Sequence, residues 1–470
     1  MTILRTTLSL LLTAQAAGLA GSEEKPLPRE LPPYGAERPI PALNLAQRTL
    51  PNGLTVWIES RPGFPRVTAF LAVRGGNAAD PAEQRGTAGL MAGLLNEGTT
   101  TRTSKQIAEE LQALGGELAA WAGPDAVFLS GSALSHRLPT LLNLLADVAR
   151  RPTFPAKEVE LAKANTLQSL QAQEAQPSFQ ANRAFNVALF GSHPYSFSSI
   201  TPETVNAATP DSLRALHAAR FQPNQAVLVL SGDLQVERAF KAIGEAFGDW
   251  QATGEGPKPL LSAPATCQRA FVLIPRPGSV QSTVRVGRPT VAATHEDYVP
   301  LQLANVILGG SFSSRIVRNI REEKGYTYSP GARASGLQVG GSYSIRADVR
   351  TEVTAASLME IFYEMDRMGT TSVGEEELQS AKHYMGGTFL FQNQMQQALV
   401  GTLATYWVNG LKPGALSDFI PKVNKVTAEE VRRIGRTYFA AKDQTIVVVG
   451  DEAKAKLELE QFGPVRVQAR

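Results

Sequence analysis

The stretch Arg220-Phe221-Gln222-Pro223-Asn224, followed by Val227-Leu228-Val229-Leu230 and Gly232-Asp233, returns later in the chain as Tyr438-Phe439, Ile446-Val447-Val448-Val449 and Gly450-Asp451. Each copy is an aromatic residue, a short apolar β-branched strand and a closing Gly-Asp. Gly232 and Gly450 stand 218 residues apart, as do Phe221 and Phe439. Glu158-Val159-Glu160-Leu161 faces Glu376-Glu377-Leu378-Gln379 at the same offset. One spacing held by separate signals reads as an internal duplication, so the two halves are expected to be homologous domains.

The bulk numbers agree with two domains. The chain has 470 residues, too many for one hydrophobic core and enough for two of roughly 200 residues each. It is 43% hydrophobic and 19% charged with a net charge of +3, and no dense Lys/Arg run marks a nucleic-acid partner. The join is expected at 252–265, where Gly254, Gly256, Pro257, Pro259 and Pro264 break any periodic pattern. That gives an N-terminal domain over 44–251 and a C-terminal domain over 266–464. Residues 1–20, with Arg5 before the apolar run Leu8-Ser9-Leu10-Leu11-Leu12 and small residues after it, read as a signal peptide. Residues 21–43 are proline-rich and read as an extended leader. Cys267 is the only cysteine, so no disulfide forms within the chain. Together these features suggest export, most simply to the periplasm of a Gram-negative bacterium, and a lone buried thiol suits that compartment.

Within the first half, Val67–Val73 and Ala126–Leu129 read as strands. Thr103 with Gln106 is a capping box for a helix that Gly115-Gly116 stops, and Leu138–Arg150 spaces its leucines helically. The architecture is therefore α+β, a layered domain made twice.

Three segments carry a family resemblance: Thr49-Leu50-Pro51-Asn52-Gly53-Leu54; Arg85-Gly86-Thr87-Ala88-Gly89-Leu90-Met91-Ala92-Gly93-Leu94-Leu95-Asn96-Glu97-Gly98-Thr99; and Leu308-Gly309-Gly310-Ser311-Phe312-Ser313-Ser314-Arg315 followed by Ile320-Arg321-Glu322-Glu323-Lys324-Gly325-Tyr326-Thr327-Tyr328-Ser329. They resemble the pitrilysin (insulinase and mitochondrial processing peptidase) family. The resemblance implies two α/β-layer domains forming one half of a clamshell. Active members carry H-x-x-E-H on a helix, two histidines holding zinc and a glutamate acting as general base, with a later glutamate as third ligand. Here the aligned positions are Gly89, Ala92 and Gly93, and the later ligand falls near Gln168 or Ser169. None offers imidazole or carboxylate, so the zinc motif is degenerate and this chain is expected to bind no metal. His136, His193, His217, His295 and His383 include no pair at helical spacing that would replace it. His193-Pro194-Tyr195 resembles a family loop with a structural role. Gly309-Gly310 reads as a tight turn before a serine-capped helix.

Arg321 and Tyr328 match the second-domain signature. In paired members the corresponding residues face the zinc of a partner subunit, which implies that they contact peptide substrate or a developing oxyanion. The resemblance thus implies a non-catalytic subunit of a zinc metalloendopeptidase heterodimer, working with a homologous chain that carries H-x-x-E-H and acting on unfolded peptides. No activity is expected from the isolated chain. The alternative is an inert peptide-binding or scaffold protein of the same fold.

Overall fold

The computed structural model describes residues 44–468, so the expected signal peptide and leader lie outside the described residues. Among those residues two six-stranded sheets account for the β-structure. The first comprises β1 (Leu45–Thr49), β2 (Thr55–Ser60), β3 (Arg66–Arg74), β4 (Glu117–Ala122), β5 (Ala126–Leu134) and β6 (Ala226–Gly232), in the order β1-β2-β6-β3-β5-β4. The second comprises β7 (Phe271–Pro275), β8 (Gln281–Thr290), β9 (Gly331–Gly336), β10 (Gly341–Arg350), β11 (Thr445–Gly450) and β12 (Arg466–Val467), in the order β12-β7-β11-β8-β10-β9. Five strands occupy equivalent places in both. The repeated sequence forms β6 and β11, which run parallel to β2 and β7, with Trp57 beside Val229 and Leu273 beside Val448. The sheets differ at one edge: β1 pairs antiparallel with β2, whereas β12 runs parallel to β7. Residues 251–270 join the halves without helix or strand.

The first-half helices are α1 (Thr87–Gly93), α2 (Ser104–Ala113), α3 (Leu138–Arg150), α4 (Ala156–Glu174), α5 (Pro177–Phe190), α6 (Pro202–Ala207), α7 (Pro210–Arg220) and α8 (Val236–Phe247). The second half carries α9 (Tyr298–Asn305), α10 (Thr354–Thr370), α11 (Glu375–Gln394), α12 (Gln396–Val408), α13 (Ala415–Lys425), α14 (Ala428–Ile434) and α15 (Glu452–Leu459). Local chemistry sets their ends. Thr103 accepts from Gln106 N–H while the Gln106 side chain accepts from Thr103 N–H, so the capping box forms. Leu50-Pro51-Asn52-Gly53 closes the β1–β2 hairpin. Gly53 sits at φ +92°, and a Cβ there would lie 2.8 Å from the Asn224 side chain, so only glycine fits.

The inner strands β6 and β11 are buried on both faces, which explains why they read as continuous apolar runs. One face of the first sheet packs on its own helices, with Val56, Leu71 and Leu228 meeting Leu141, Leu145 and Ile243. The opposite face is covered by a helix of the second half: Leu399, Val400, Leu403 and Ala404 of α12 lie on Trp57, Phe70, Val227 and Val229. The exchange is reciprocal. Ala181, Ala184, Phe185 and Leu189 of α5, from the first half, lie on Val272, Ile274, Val447 and Val449 of the second sheet.

Paired hydrogen bonds lock this exchange. Arg61 Nη1 donates to Gln394 O (2.7 Å), at the corner between α11 and α12. Arg276 Nη1 donates to Ala175 O (2.9 Å), at the equivalent corner between α4 and α5. Arg74 stacks on Trp407 with its guanidinium 4.0 Å from the ring centroid. The loop His193-Pro194-Tyr195 adds a clasp: Tyr195 Oη donates to Asp125 Oδ1 (2.7 Å) and accepts from Val339 N–H, while Asp125 Oδ2 accepts from Gln338 N–H. Cys267 is half-buried rather than buried, its Sγ 3.3 Å from Thr445 Oγ1.

Because Leu403 is fully buried against a sheet of the other half, Leu403→Ala is expected to cost about 2–5 kcal/mol. In native-state hydrogen exchange the loss of protection should reach β3 and β6 rather than staying within the second half.

Candidate functional site

Helix α1 is aimed by a buried ion pair. Asp80 Oδ2 accepts from Gly86 N–H (2.7 Å) and Ala88 N–H (3.2 Å) at the start of the helix. Its Oδ1 accepts from Arg220 Nη2 (2.6 Å), and Arg220 Nη1 donates to Gly75 O (2.9 Å). The two side chains are 0% and 4% exposed. Gly86 enters at φ +94°, where a Cβ would strike Ile200 and Phe197. The helix therefore starts at a fixed point in a fixed direction.

Gly89 and Gly93 lie on the face of α1 that borders an open cleft of about 520 Å³, opposite Glu158, Ala162, Asn165 and Thr166 of α4. Ala92 is fully buried. The cleft also holds Glu97, whose carboxylate accepts from Ser104 Oγ (2.9 Å). Gln168 and Ser169 are exposed and do not line it. The positions that meet α1 are Asn165 and Thr166, about one helical turn earlier. They repeat at helical spacing from Glu158, a periodicity that reading α4 from its N-terminus would have revealed.

The donor set does not fit a zinc ion. Such a site takes three protein ligands from histidine, cysteine or carboxylate, and this cleft offers two separate glutamates, amides and a hydroxyl. Among the described residues no group of three or more His, Cys, Asp or Glu is placed to hold a metal. Three histidines serve the backbone instead. His193 Nδ1 accepts from Tyr195 N–H (3.1 Å), His295 Nδ1 accepts from Asp297 N–H (3.0 Å), and His217 Nε2 lies 2.8 Å from Ala149 O. Burial pushes His217 down to about 4.

Arg321 and Tyr328 are brought together. The Arg321 guanidinium lies 5.0 Å from the Tyr328 ring centroid and 4.5 Å from that of Phe312, with its Nε 3.2 Å from Glu322 Oε1. Tyr328 is 81% exposed and Phe312 67%. Arg321 and Tyr328 border a cleft of about 510 Å³ shared with Asp348 and Arg350. Sequence reasoning missed Phe312; an aromatic residue set among glycines and serines was the available signal. Gly309-Gly310 differs from expectation. The pair ends a wide helical turn, Val306–Gly310, that continues α9, and no serine side chain caps the helical segment Val317–Glu323. Ser311 Oγ donates back to Val306 O instead (3.3 Å). Glycine is needed because a Cβ at Gly309 would lie 2.7 Å from that of Ala332 on β9.

Two outcomes follow. A Cβ at Gly93 would meet nothing within 4 Å, and one at Gly89 only Asn77 Oδ1 at 3.7 Å. Gly89→Ala and Gly93→Ala should therefore each raise stability by up to about 1 kcal/mol in chemical denaturation. His217 takes up its proton more readily unfolded, since its folded value near 4 lies below the ordinary 6.5. Stability should thus hold above pH 6.5 and fall between that value and about 4, by about 3 kcal/mol in all, a loss that a neutral His217→Gln variant should lack.

Comparison with known proteins agrees with this geometry. Residues 55–203 match the family model for insulinase, peptidase family M16, and residues 207–385 match that for the peptidase M16 inactive domain. An uncharacterized zinc protease of Mycobacterium leprae is 25% identical over 392 residues, covering 83% of this chain and 88% of that protein. The non-peptidase homolog YmxG of Helicobacter pylori is 23% identical over 398 residues, covering 84% and 91%. Among solved structures, the peptidase M16 inactive domain of Pseudomonas fluorescens superposes with a TM-score of 0.82 at 24% identity, over 87% of this chain and 98% of that one. A Helicobacter pylori protease superposes at 0.81 with 18% identity, over 87% and 99%. Two family models that together match most of residues 55–385, the shared fold and a motif helix without its ligands place this chain in the M16 (pitrilysin and insulinase) peptidase family, as a member of its inactive type.

Proposed function

We propose that this chain is the non-catalytic subunit of an exported, heterodimeric zinc metallopeptidase. Its partner is a homologous chain that carries H-x-x-E-H and supplies the metal. The observation that carries this reading is the contrast between the halves. The first keeps the scaffold of a metal helix with Gly89, Ala92 and Gly93 where ligands and base belong. The second keeps Arg321 and Tyr328 side by side on an open face. A site under no demand would have little reason to hold a guanidinium between two exposed rings. Residues 1–20 support export, with the periplasm as destination.

In this reading the two chains close as clamshell halves on an unfolded peptide. Arg321 donates N–H bonds, and Tyr328 its O–H, to the substrate backbone or to the oxygen on which charge develops. Stacking by Phe312 holds the guanidinium in place before substrate arrives, which is where such donors gain their effect.

Co-expression with a chain bearing the zinc motif, size exclusion and a peptide assay with and without EDTA test the proposal. The pair should be active and EDTA-sensitive, and neither chain alone should match it. Arg321→Ala should lower kcat/KM by about a hundredfold and Tyr328→Phe by about tenfold. Rates within about twofold of wild type would leave the two residues no catalytic task. A complex that forms without gain in turnover would support the scaffold reading instead.

A further inference from the structure

The repeat puts different side chains at one place in the two sheets. Phe70 of β3 lies beside Val229 in the first sheet, and Arg285 of β8 lies beside Val447, 218 residues later, in the second. On its other flank Phe70 faces Ser130 of β5, and Arg285 faces Arg346 of β10. An apolar ring opposite a hydroxyl thus gives way to two guanidinium groups. Residues directly opposite in an antiparallel ladder point the same way, and like charges there destabilise the pair. The helix that each half lends the other touches both places. Gln397 of α12 donates to Ser130 Oγ (2.6 Å), and Asn182 Oδ1 of α5 accepts from Arg285 Nε (2.8 Å).

Arg285 is only 8% exposed, yet it forms no ion pair among the described residues. Its Nε is taken by Asn182 and its Nη1 by Val284 O (3.1 Å), while Nη2 has no partner and is not sealed from solvent. Burial holds this guanidinium below its ordinary value; Asp348 opposes the shift and Arg346 adds to it. Arg346 is exposed, and its side chain makes no hydrogen bond or ion pair among the described residues. It leans toward β9, where a Cβ on Gly331 would lie 3.9 Å from its Nε. Arg333 lies on the same face, opposite Ser344. A buried charge without a counter-charge is costly. The arrangement therefore points to an anion that meets Arg285 Nη2 and draws Arg346 back.

The surroundings restrict its kind. Asp348 follows Arg346 on the same face of β10, with its Oδ1 accepting from Thr283 Oγ1 (2.5 Å). That carboxylate disfavours a polyanion laid along the strand, whereas a single compact group meets the arginines alone. The planar fork of a guanidinium matches the oxygens of a carboxylate or a phosphate.

We propose that Arg285 and Arg346 form a binding site for one compact oxyanion, a carboxylate or a phosphate, on the α5 side of the second sheet. Arg285 Nη2 donates to one oxygen from a fixed, buried position, and Arg346 swings in from solvent to donate to another. The site lies in this chain alone and needs no partner subunit, so it can fail while the heterodimer reading stands, and the reverse.

The test is thermal denaturation of the full chain alone, titrated with sodium phosphate or sodium acetate, with sodium chloride at equal ionic strength as the reference. At least one oxyanion should raise the melting temperature saturably beyond chloride, as a ligand of the folded state does. Acetate ahead of phosphate would identify a carboxylate as the occupant, and phosphate ahead of acetate a phosphate; either supports the site. Arg285→Met removes a buried charge that has no ion pair. It should therefore keep or raise the melting temperature in chloride and abolish the oxyanion response. Arg346→Gln should weaken the apparent Kd about tenfold, and Arg321→Ala should leave it unchanged. A wild-type response no larger than that to chloride, or one retained in both site variants, would overturn the proposal. So would a sharp fall of the Arg285→Met melting temperature in chloride, because the arginine would then be a structural part of the sheet.

Discussion

Asp80 and Arg220 meet in the interior of the first half, and the geometry of the candidate site is organised from that contact. Removing two charges from water is costly unless every lone pair and proton finds a partner. Here the carboxylate accepts from one guanidinium arm and two amides at the start of α1, and the guanidinium also donates to the carbonyls of Gly75 and Gly76, just past β3. These bonds fix where α1 begins and which face it turns to the cleft. That orientation persists although the helix carries nothing for a metal to bind. The family's active chemistry needs both the scaffold and the ligands, and this chain separates the two.

The second half solves the same problem differently. Asp297 stands near the place of Asp80 in the repeat, and Tyr438 stands where Arg220 does. Tyr438 Oη donates to Asp297 Oδ2 (2.8 Å), while Arg433 from α14 pairs with Oδ1. A hydroxyl and a surface guanidinium have taken over what one buried arginine does in the other half. The duplicated halves keep five of six strand positions, yet Arg220 is matched by Tyr438, Gly93 by Ser311 and Ala162 by Ser380. The cleft beside α1 has two glutamates as its only charged lining, whereas the equivalent cleft beside α11 is lined by five glutamates and four basic side chains. Divergence of this kind fits a protein whose halves share an architecture and no longer share a task.

Much of this was legible in the sequence because it rests on local rules. The offset between β6 and β11 exposed the duplication, the Thr103–Gln106 capping box and Leu138–Arg150 appeared where their patterns indicated, and the absence of imidazole at Gly89 and Gly93 is a fact of composition. What was not legible depends on contacts distant in sequence. The role of Arg220 cannot be seen without Asp80, which lies 140 positions earlier. The register of α4 against α1 placed Asn165 and Thr166 at the cleft, about a turn from where spacing alone pointed. Phe312 reads as a loop residue until it is found on the guanidinium of Arg321. Nor does any periodicity announce that α5 and α12 each cover the other half's sheet, since an apolar helix face does not name the surface it will meet.

That mutual covering bears on how the polypeptide is made. As synthesis proceeds, the first sheet can assemble once β6 has left the ribosome, but Trp57, Phe70, Val227 and Val229 stay bare until residues of α12 follow some 170 positions later. Nascent domains ordinarily fold one at a time from the N-terminus. Here the earlier one must wait with a wet apolar flank, a state that invites aggregation until α12 arrives.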